Sequence, residues 1–246
     1  MTAPIAVFSA LRPELDLLVS NLESPSRETL AGRPVWVGDL EGLLAVLVQA
    51  GLGKVNTAAL AGVVWERYRP RVFVFTGVAG GLDPDLAVGD VVIGELCIQH
   101  DAGVVGPDGL ERYQAGHIPF FNPTDRFGFG PPEELLTRVR NRLEGFLLEP
   151  VMGREPRIVT GTILTGDQFL ADETTRDRLF AELGGAAVEM EGAALAQAAE
   201  ILGVDHLVIR SLSDRAGRDS ISDFGQFLSE VAANSARVVR HLLPVL

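Results

Sequence analysis

Short runs rich in β-branched and aromatic residues alternate with segments of helical period along the whole chain, which limits the fold more than any other feature. "PIAVFSA" reads as a strand, and Pro13 fits the first turn of a helix running through "ELDLLVSNL". "PVWVGDL" and "LLAVLVQA" flank Glu41-Gly42, a hairpin turn. "KVNTAALAGVVWERY" reads as a helix and "RVFVFTGVAGG" as a buried strand ending in glycines. "VGDVVIGELCIQ" is a further strand, entered through Gly89-Asp90. A helix starts at the prolines of "PPEELLTRVRNRLEGFL". "RIVTGTIL", "AAVEM" and "HLVIR" read as strands, while "TRDRLFAEL", "GAALAQAAEIL" and "FGQFLSEVAANSARVVRHLL" read as helices. Such alternation implies an α/β domain with a largely parallel sheet and helices on its faces. Asp101 to Pro131 is the least regular region, and a loop of that length in a compact domain points to function or to an interface.

No linker or block of like charge divides the 246 residues, so one domain over 1–246 is expected. The start, "MTAPIAVFSALRPE", lacks the basic and apolar parts of a signal peptide, and no apolar run is long enough to span a bilayer. Cys97 is the one cysteine, which rules out an intrachain disulfide. A cytoplasmic protein is expected. The net charge of −12 disfavours nucleic acid and anionic membranes as partners, and no Lys/Arg cluster stands out to override it. The four histidines show no metal-ligand spacing, so no metal is expected.

In open α/β sheets, ligands bind beyond the carboxyl ends of the strands. Those ends here read "SALRPE", "GLGK", "TGVAGG", "TGDQF", "EMEG" and "RSLSD", polar or glycine-rich where the strand bodies are apolar. Each stretch also has a plain structural reading. The glycine loops suit tight turns, and neither completes a phosphate-binding motif. Glu14 suits a helix first turn, Asp214 an N-cap, and Phe169 and Phe224 a core. Their placement at one end of successive strands is what points to a composite site. Glu189 and Glu191 share a face if the strand runs through both, and diverge if a helix starts at Glu191.

The stretches "SALRPE", "GLGKVNTA", "TGVAGGL", "VGDVV", "HDA", "TGDQF", "VEMEGAALA", "RSLSD" and "DFGQFL" follow one another across nearly the whole chain. In them the chain resembles the bacterial methylthioadenosine/S-adenosylhomocysteine nucleosidases of the nucleoside phosphorylase/hydrolase superfamily. The resemblance implies a twisted mixed central sheet flanked by helices, and a homodimer. It also implies hydrolysis of the N-glycosidic bond between adenine and a 5′-thio-substituted ribose, without cofactor or metal. Carried over by motif position, Asp214 is the acid that protonates adenine N7, with Ser213 beside it. Glu14 activates water, and Glu191 holds the ribose hydroxyls. Arg210 orients the water and the carboxylates, while Glu189 supports the loop. Met190 packs on the sugar, Phe169 stacks on adenine, the Leu170 backbone reads the base edge, and Phe224 closes over the 5′ end. Leu11, Leu52 and Val78 complete the substrate-binding set.

Two features depart from the family pattern. Val78 stands where a Ser is frequent and offers no hydroxyl to sugar or water. The segment "VVGPDGLERYQAGHIPFFNP" is longer and more apolar than the family leads one to expect. By resemblance it contributes to the 5′ pocket of the neighbouring subunit, with Val104, Pro107, His117, Ile118 and Pro119 as its candidates. The alternative functions are a futalosine-type nucleoside hydrolase, a purine nucleoside phosphorylase, and a non-catalytic nucleoside sensor.

Overall fold

The computed structural model describes residues 3–246. In chain order the elements are β1 (Ile5–Ser9), α1 (Arg12–Ser20), β2 (Glu23–Leu30), β3 (Arg33–Leu40), β4 (Leu43–Gln49), α2 (Lys54–Tyr68), β5 (Val72–Gly81) and β6 (Val91–Gln99). They continue as β7 (Gly103–Gly106), β8 (Gly109–Arg112), α3 (Glu133–Leu143), β9 (Ile158–Thr165), α4 (Glu173–Leu183), β10 (Gly185–Glu189), α5 (Gly192–Leu202), β11 (Asp205–Asp214) and α6 (Ser220–Leu242).

Local chemistry sets several of the boundaries. Glu41 and Gly42, both at positive φ (55° and 87°), make the two-residue β3–β4 turn, and the Gly42 N–H donates to Asp39 Oδ1 at 2.6 Å. Asp172 caps α4 by accepting the Thr175 N–H at 2.8 Å. Gly184 and Gly203 end α4 and α5 in the left-handed conformation, which costs glycine no Cβ clash.

Nine strands form one sheet in the order β10-β9-β6-β11-β5-β1-β4-β3-β2. Alternation along β1 sends Ile5 and Val7 to one face and Ala6 and Phe8 to the other. The first face is covered through Leu15 and Leu18 of α1, Leu135 and Val139 of α3, and Val238 and Leu242 of α6. The second is covered through Leu60 and Val64 of α2 and Leu195 and Ala199 of α5. Each such Val, Leu, Ile or Phe side chain, fully buried, stabilises the fold by about 1.5–3 kcal/mol relative to an exposed one.

The sheet departs from the largely parallel expectation. β1–β4, β1–β5, β5–β11, β6–β9 and β9–β10 are parallel, but β2–β3, β3–β4, β6–β11 and β5–β10 are antiparallel. β9 and β10 therefore run opposite to β1, β4, β5 and β11. The β5–β10 pairing, Gly80 opposite Val188 and Gly81 opposite Ala187, closes β5, β11, β6, β9 and β10 on themselves. The open-sheet premise fails at this end. Closure, not a shared strand direction, carries β10 back beside the end of β5.

Two further elements lie outside the sequence reading. β2, "ESPSRETL", is an edge strand exposed along most of its length, so it lacks an apolar signature. The irregular region contains the small hairpin β7–β8, which pairs only with itself.

Candidate active site

A cavity of about 410 Å³ opens where β1, β5, β10 and β11 meet the loops after β4 and β9. Leu11, Glu14, Leu52, Val78, Phe169, Leu170, Met190, Glu191, Ser213, Asp214 and Phe224 all line it. Ala10, Ala79, Gly80, Gln168, Val188 and Glu189 also line it. All six fall inside stretches already singled out, but apart from Glu189 their small or neutral side chains carry no chemical signal of their own.

The floor is built on Arg210, a fully buried side chain in β11. Its guanidinium lies 4.4 Å from the centre of the Phe75 ring. Nη2 donates to Glu189 Oε2 and, at 3.2 Å, to Glu191 Oε2. A Cβ on Gly77 would stand 2.6 Å from Arg210 Nη1 and closer still to Glu14 Oε1. Gly77 therefore gives these two side chains room against the strand. The "TGVAGG" glycines are not a turn, since β5 runs through all of them. Gly80 likewise leaves space for Asp214, whose Oδ1 would be 3.0 Å from a Cβ there.

Glu189 and Glu191 do diverge. β10 ends at Glu189, and Glu191 is the N-cap of α5. Glu189 Oε2 accepts the N–H groups of Glu191 and Gly192 at 3.0 and 2.7 Å, and Thr165 Oγ1 donates to its Oε1. Its oxygens are thus spent on the N-terminus of α5 and on Arg210. Glu191 Oε1 accepts the Gly53 N–H at 2.7 Å, from the loop after β4. Burial pushes the Glu191 carboxyl up to about 7, against the lowering field of Arg210 and with the help of Glu189.

Glu14 ties the start of α1 and faces the cavity. Oε2 accepts the Leu11 N–H at 2.7 Å, tying down the start of α1, and Oε1 accepts the Val78 N–H at 3.0 Å on the cavity wall. Burial holds its carboxyl above the ordinary range, although Arg210 and the two N–H groups oppose the shift.

Asp214 is not an N-cap, because α6 begins six residues later. Its Oδ1 accepts the Ala216 N–H at 2.8 Å, and its Oδ2 accepts the Ser213 hydroxyl at 2.9 Å. Burial raises its pKa, and hydrogen bonds from Ser220, Ala216 and Ser213 offset part of the rise.

Phe169 is 48% exposed and meets Phe224 edge to face, with ring centres 5.9 Å apart. A large half-exposed ring at a cavity mouth is available for stacking, which a core ring is not. Val78 packs its side chain with Phe227 and Val231 of α6, so the wall is apolar at this point.

Several expected residues lie elsewhere. Arg210 is beneath the wall and not on it, and it is bonded to Glu189 and Glu191. Val104, Pro107, Ile118 and Pro119 are absent from the cavity of a single chain, and Val104 and Pro107 belong to the β7–β8 hairpin. His117 and Ile118 line a separate shallow hollow. The fold also gathers Arg176, Arg215 and Arg218 around a polar hollow, which no run of sequence announces. Glu173, Asp219 and Asp223 interleave with them, so the hollow is not a basic patch.

The chemistry of the cavity is that of three carboxyls with raised proton affinity among apolar and aromatic walls. A family model described as the phosphorylase superfamily matches residues 4–244. The 5′-methylthioadenosine/S-adenosylhomocysteine nucleosidase of Mycobacterium bovis is 48% identical over 252 residues, covering 100% of this chain and 99% of that protein. The fold is similar to that of the nucleosidase of Colwellia psychrerythraea, solved in complex with adenine (TM-score 0.86, 34% identity, covering 100% of this chain and 96% of that one). It is equally similar to the nucleosidase of Neisseria meningitidis, solved with methylthio-immucillin-A (TM-score 0.86, 30% identity, covering 100% of both chains). The chain belongs to the phosphorylase superfamily and, within it, to the 5′-methylthioadenosine/S-adenosylhomocysteine nucleosidases.

Proposed function

We propose that the protein hydrolyses the N-glycosidic bond of 5′-methylthioadenosine and S-adenosylhomocysteine, releasing adenine and the 5′-thio-substituted ribose. The observation that carries this reading is the convergence of Glu14, Glu191 and Asp214 on one cavity, each with its proton affinity raised by burial. Loss of adenine leaves C1′ with oxocarbenium character, and the departing electron pair must be neutralised on the purine. Asp214, held by Ser213 and the Ala216 N–H, gives its proton to N7 as the C1′–N9 bond breaks. Glu14 takes a proton from the water whose oxygen bonds to C1′. A carboxyl with raised pKa is a stronger base for that step than an exposed one. Glu191 holds the ribose hydroxyls, and its fixed partners Gly53 and Arg210 leave little freedom to rotate. Met190 packs on the sugar, Phe169 stacks on adenine, the Leu170 backbone reads the base edge, and Phe224 covers the 5′ substituent. Arg210, beneath the lining, sets the carboxylates, and Glu189 holds the start of α5.

Water is favoured over phosphate as nucleophile because the lining contains no Lys or Arg, and Val78 removes a hydroxyl from the wall. The protein works in the cytoplasm as a homodimer, with the 101–131 segment reaching toward the neighbouring cavity. The test is adenine release from methylthioadenosine, S-adenosylhomocysteine and a futalosine-type nucleoside, each with and without phosphate. Equal rates in both buffers, with free thioribose as the second product, are expected. Turnover that requires phosphate and yields a sugar 1-phosphate would replace this reading with a phosphorylase.

A further inference from the structure

Lys54 is the one lysine among 21 basic side chains. It sits at the first position of α2, directly after the Gly53 N–H that holds Glu191. Its ammonium donates to Asp101 Oδ1 at 2.7 Å, with both side chains only about one-fifth exposed. Asp101 Oδ2 accepts the Asp167 N–H at 3.1 Å. Asp167 Oδ1 accepts the Lys54 N–H at 2.9 Å, closing a ring of three residues. The residue before α2 is a glycine with no side chain to cap the helix, so Asp167 caps it from another element. The fit is close, since a Cβ on Gly53 would meet Asp167 Oδ1 at 2.9 Å. Burial, which disfavours the charged form, is outweighed for Asp101 by Lys54 and the Asp167 N–H, and its carboxyl stays below the ordinary range.

Lys54 stands where the loop after β4 enters α2, and Asp101 and Asp167 belong to the loops after β6 and β9. Two of these loops line the cavity, the first with Leu52 and the second with Gln168, Phe169 and Leu170, and the Gly53 N–H of the first holds Glu191. We propose that Lys54, Asp101 and Asp167 form a clasp of positioning residues that sets the distance between the base-stacking loop and the ribose-holding Glu191. None of the three lines the cavity. The clasp acts through Gly53 on Glu191 and through the chain on Phe169. A compact ammonium suits this place, where a planar five-donor guanidinium would need more room and more acceptors. The cavity needs the tie because the two loops approach from strands that run in opposite directions. The proposal rests on the nucleosidase reading for the identity of the ligand, but not for the tie between the loops.

The test uses the full chain with Lys54→Met, Asp101→Asn and the double variant. Hydrogen exchange of the amides at 50–56 and 166–170, without substrate, reads the clasp alone. Both segments exchange faster in each variant if the clasp is real, and unchanged exchange at 166–170 in Lys54→Met overturns it. With methylthioadenosine, KM rises by about tenfold while kcat changes by less than about threefold. The double variant is no worse than the worse single one, because the pair acts as a unit. Multiplying single-variant losses in the double variant, or a fall in kcat with KM unmoved, would reject positioning. Failure of the nucleosidase reading would show instead as no adenine release from the unaltered protein, leaving the exchange result to judge the clasp.

Discussion

Arg210 and Asp214 are four residues apart on β11, yet the carboxylates around them live in different electrostatic settings. At the floor, Glu14, Glu189 and Glu191 share the field of one buried guanidinium. Glu189 is fully engaged by it and by the start of α5, while Glu191 keeps a raised proton affinity. At the wall, Asp214 has Ser213, the Ala216 N–H and Ser220 as partners but no cation. Burial is similar in the two places, at 3% exposure for Glu14, Glu191 and Asp214 alike. What separates them is whether a fixed positive charge lies within the same low-dielectric volume. Burial raises the proton affinity in both places, but Arg210 opposes the rise at Glu14 and Glu191, whereas at Asp214 hydrogen bonds oppose it.

The contrast can be broken most severely at its acid end. Asp214→Asn keeps the shape and one accepting oxygen but has no acidic proton to give, and kcat for adenine release is expected to fall by about 10²–10⁴-fold with KM little changed. Steady-state kinetics at neutral pH checks this, and an Asn variant with full turnover would remove Asp214 from the acid role. Next in size is Arg210→Met, which strands Glu189 and Glu191 without their cation. A loss of about 3–5 kcal/mol in unfolding free energy is expected by denaturant titration. Adding Glu189→Gln to that variant should recover part of the loss, and no recovery would show that packing against Phe75 dominates.

The smallest effect sharpens the contrast through pH. Glu191 is raised from its ordinary 4.5 to about 7 in the fold, so between those values the folded state binds more protons than the unfolded chain. Its contribution to stability is complete below about pH 4.5 and is lost as pH rises through about 7. Urea unfolding across this window should show a shallower decline in Glu191→Gln than in the unaltered protein. An identical slope would mean that Glu191 is ionised throughout.

Much of this arrangement was legible in the residues because each side chain was read with the strand end that carries it. All of the lining residues except Leu170 lie in the family-like stretches of the sequence, since chemistry at strand ends interrupts otherwise apolar runs. β2 was not legible, because an exposed edge strand such as "ESPSRETL" has no apolar alternation to betray it. The direction of β9 and β10 was not legible either. A strand followed by a helix looks the same whether its neighbour in the sheet runs parallel or antiparallel. The reading of "TGVAGG" as a turn failed because a glycine that makes room for Glu14 and Arg210 has the same letter as one that bends the chain.

By itself, the sequence determined the helices and most strands, through periodicity and turn chemistry that act within a few residues. It also determined which acidic and aromatic residues were free of the core pattern, and which family they resemble. Only the tertiary structure decided that β10 folds back on β5, that Glu189 is spent on α5 while Glu191 faces the cavity, and that Lys54 meets Asp101 and Asp167. Those outcomes depend on contacts between residues tens to more than a hundred positions apart, where closing the sheet brings together groups whose spacing along the chain carries no trace of it.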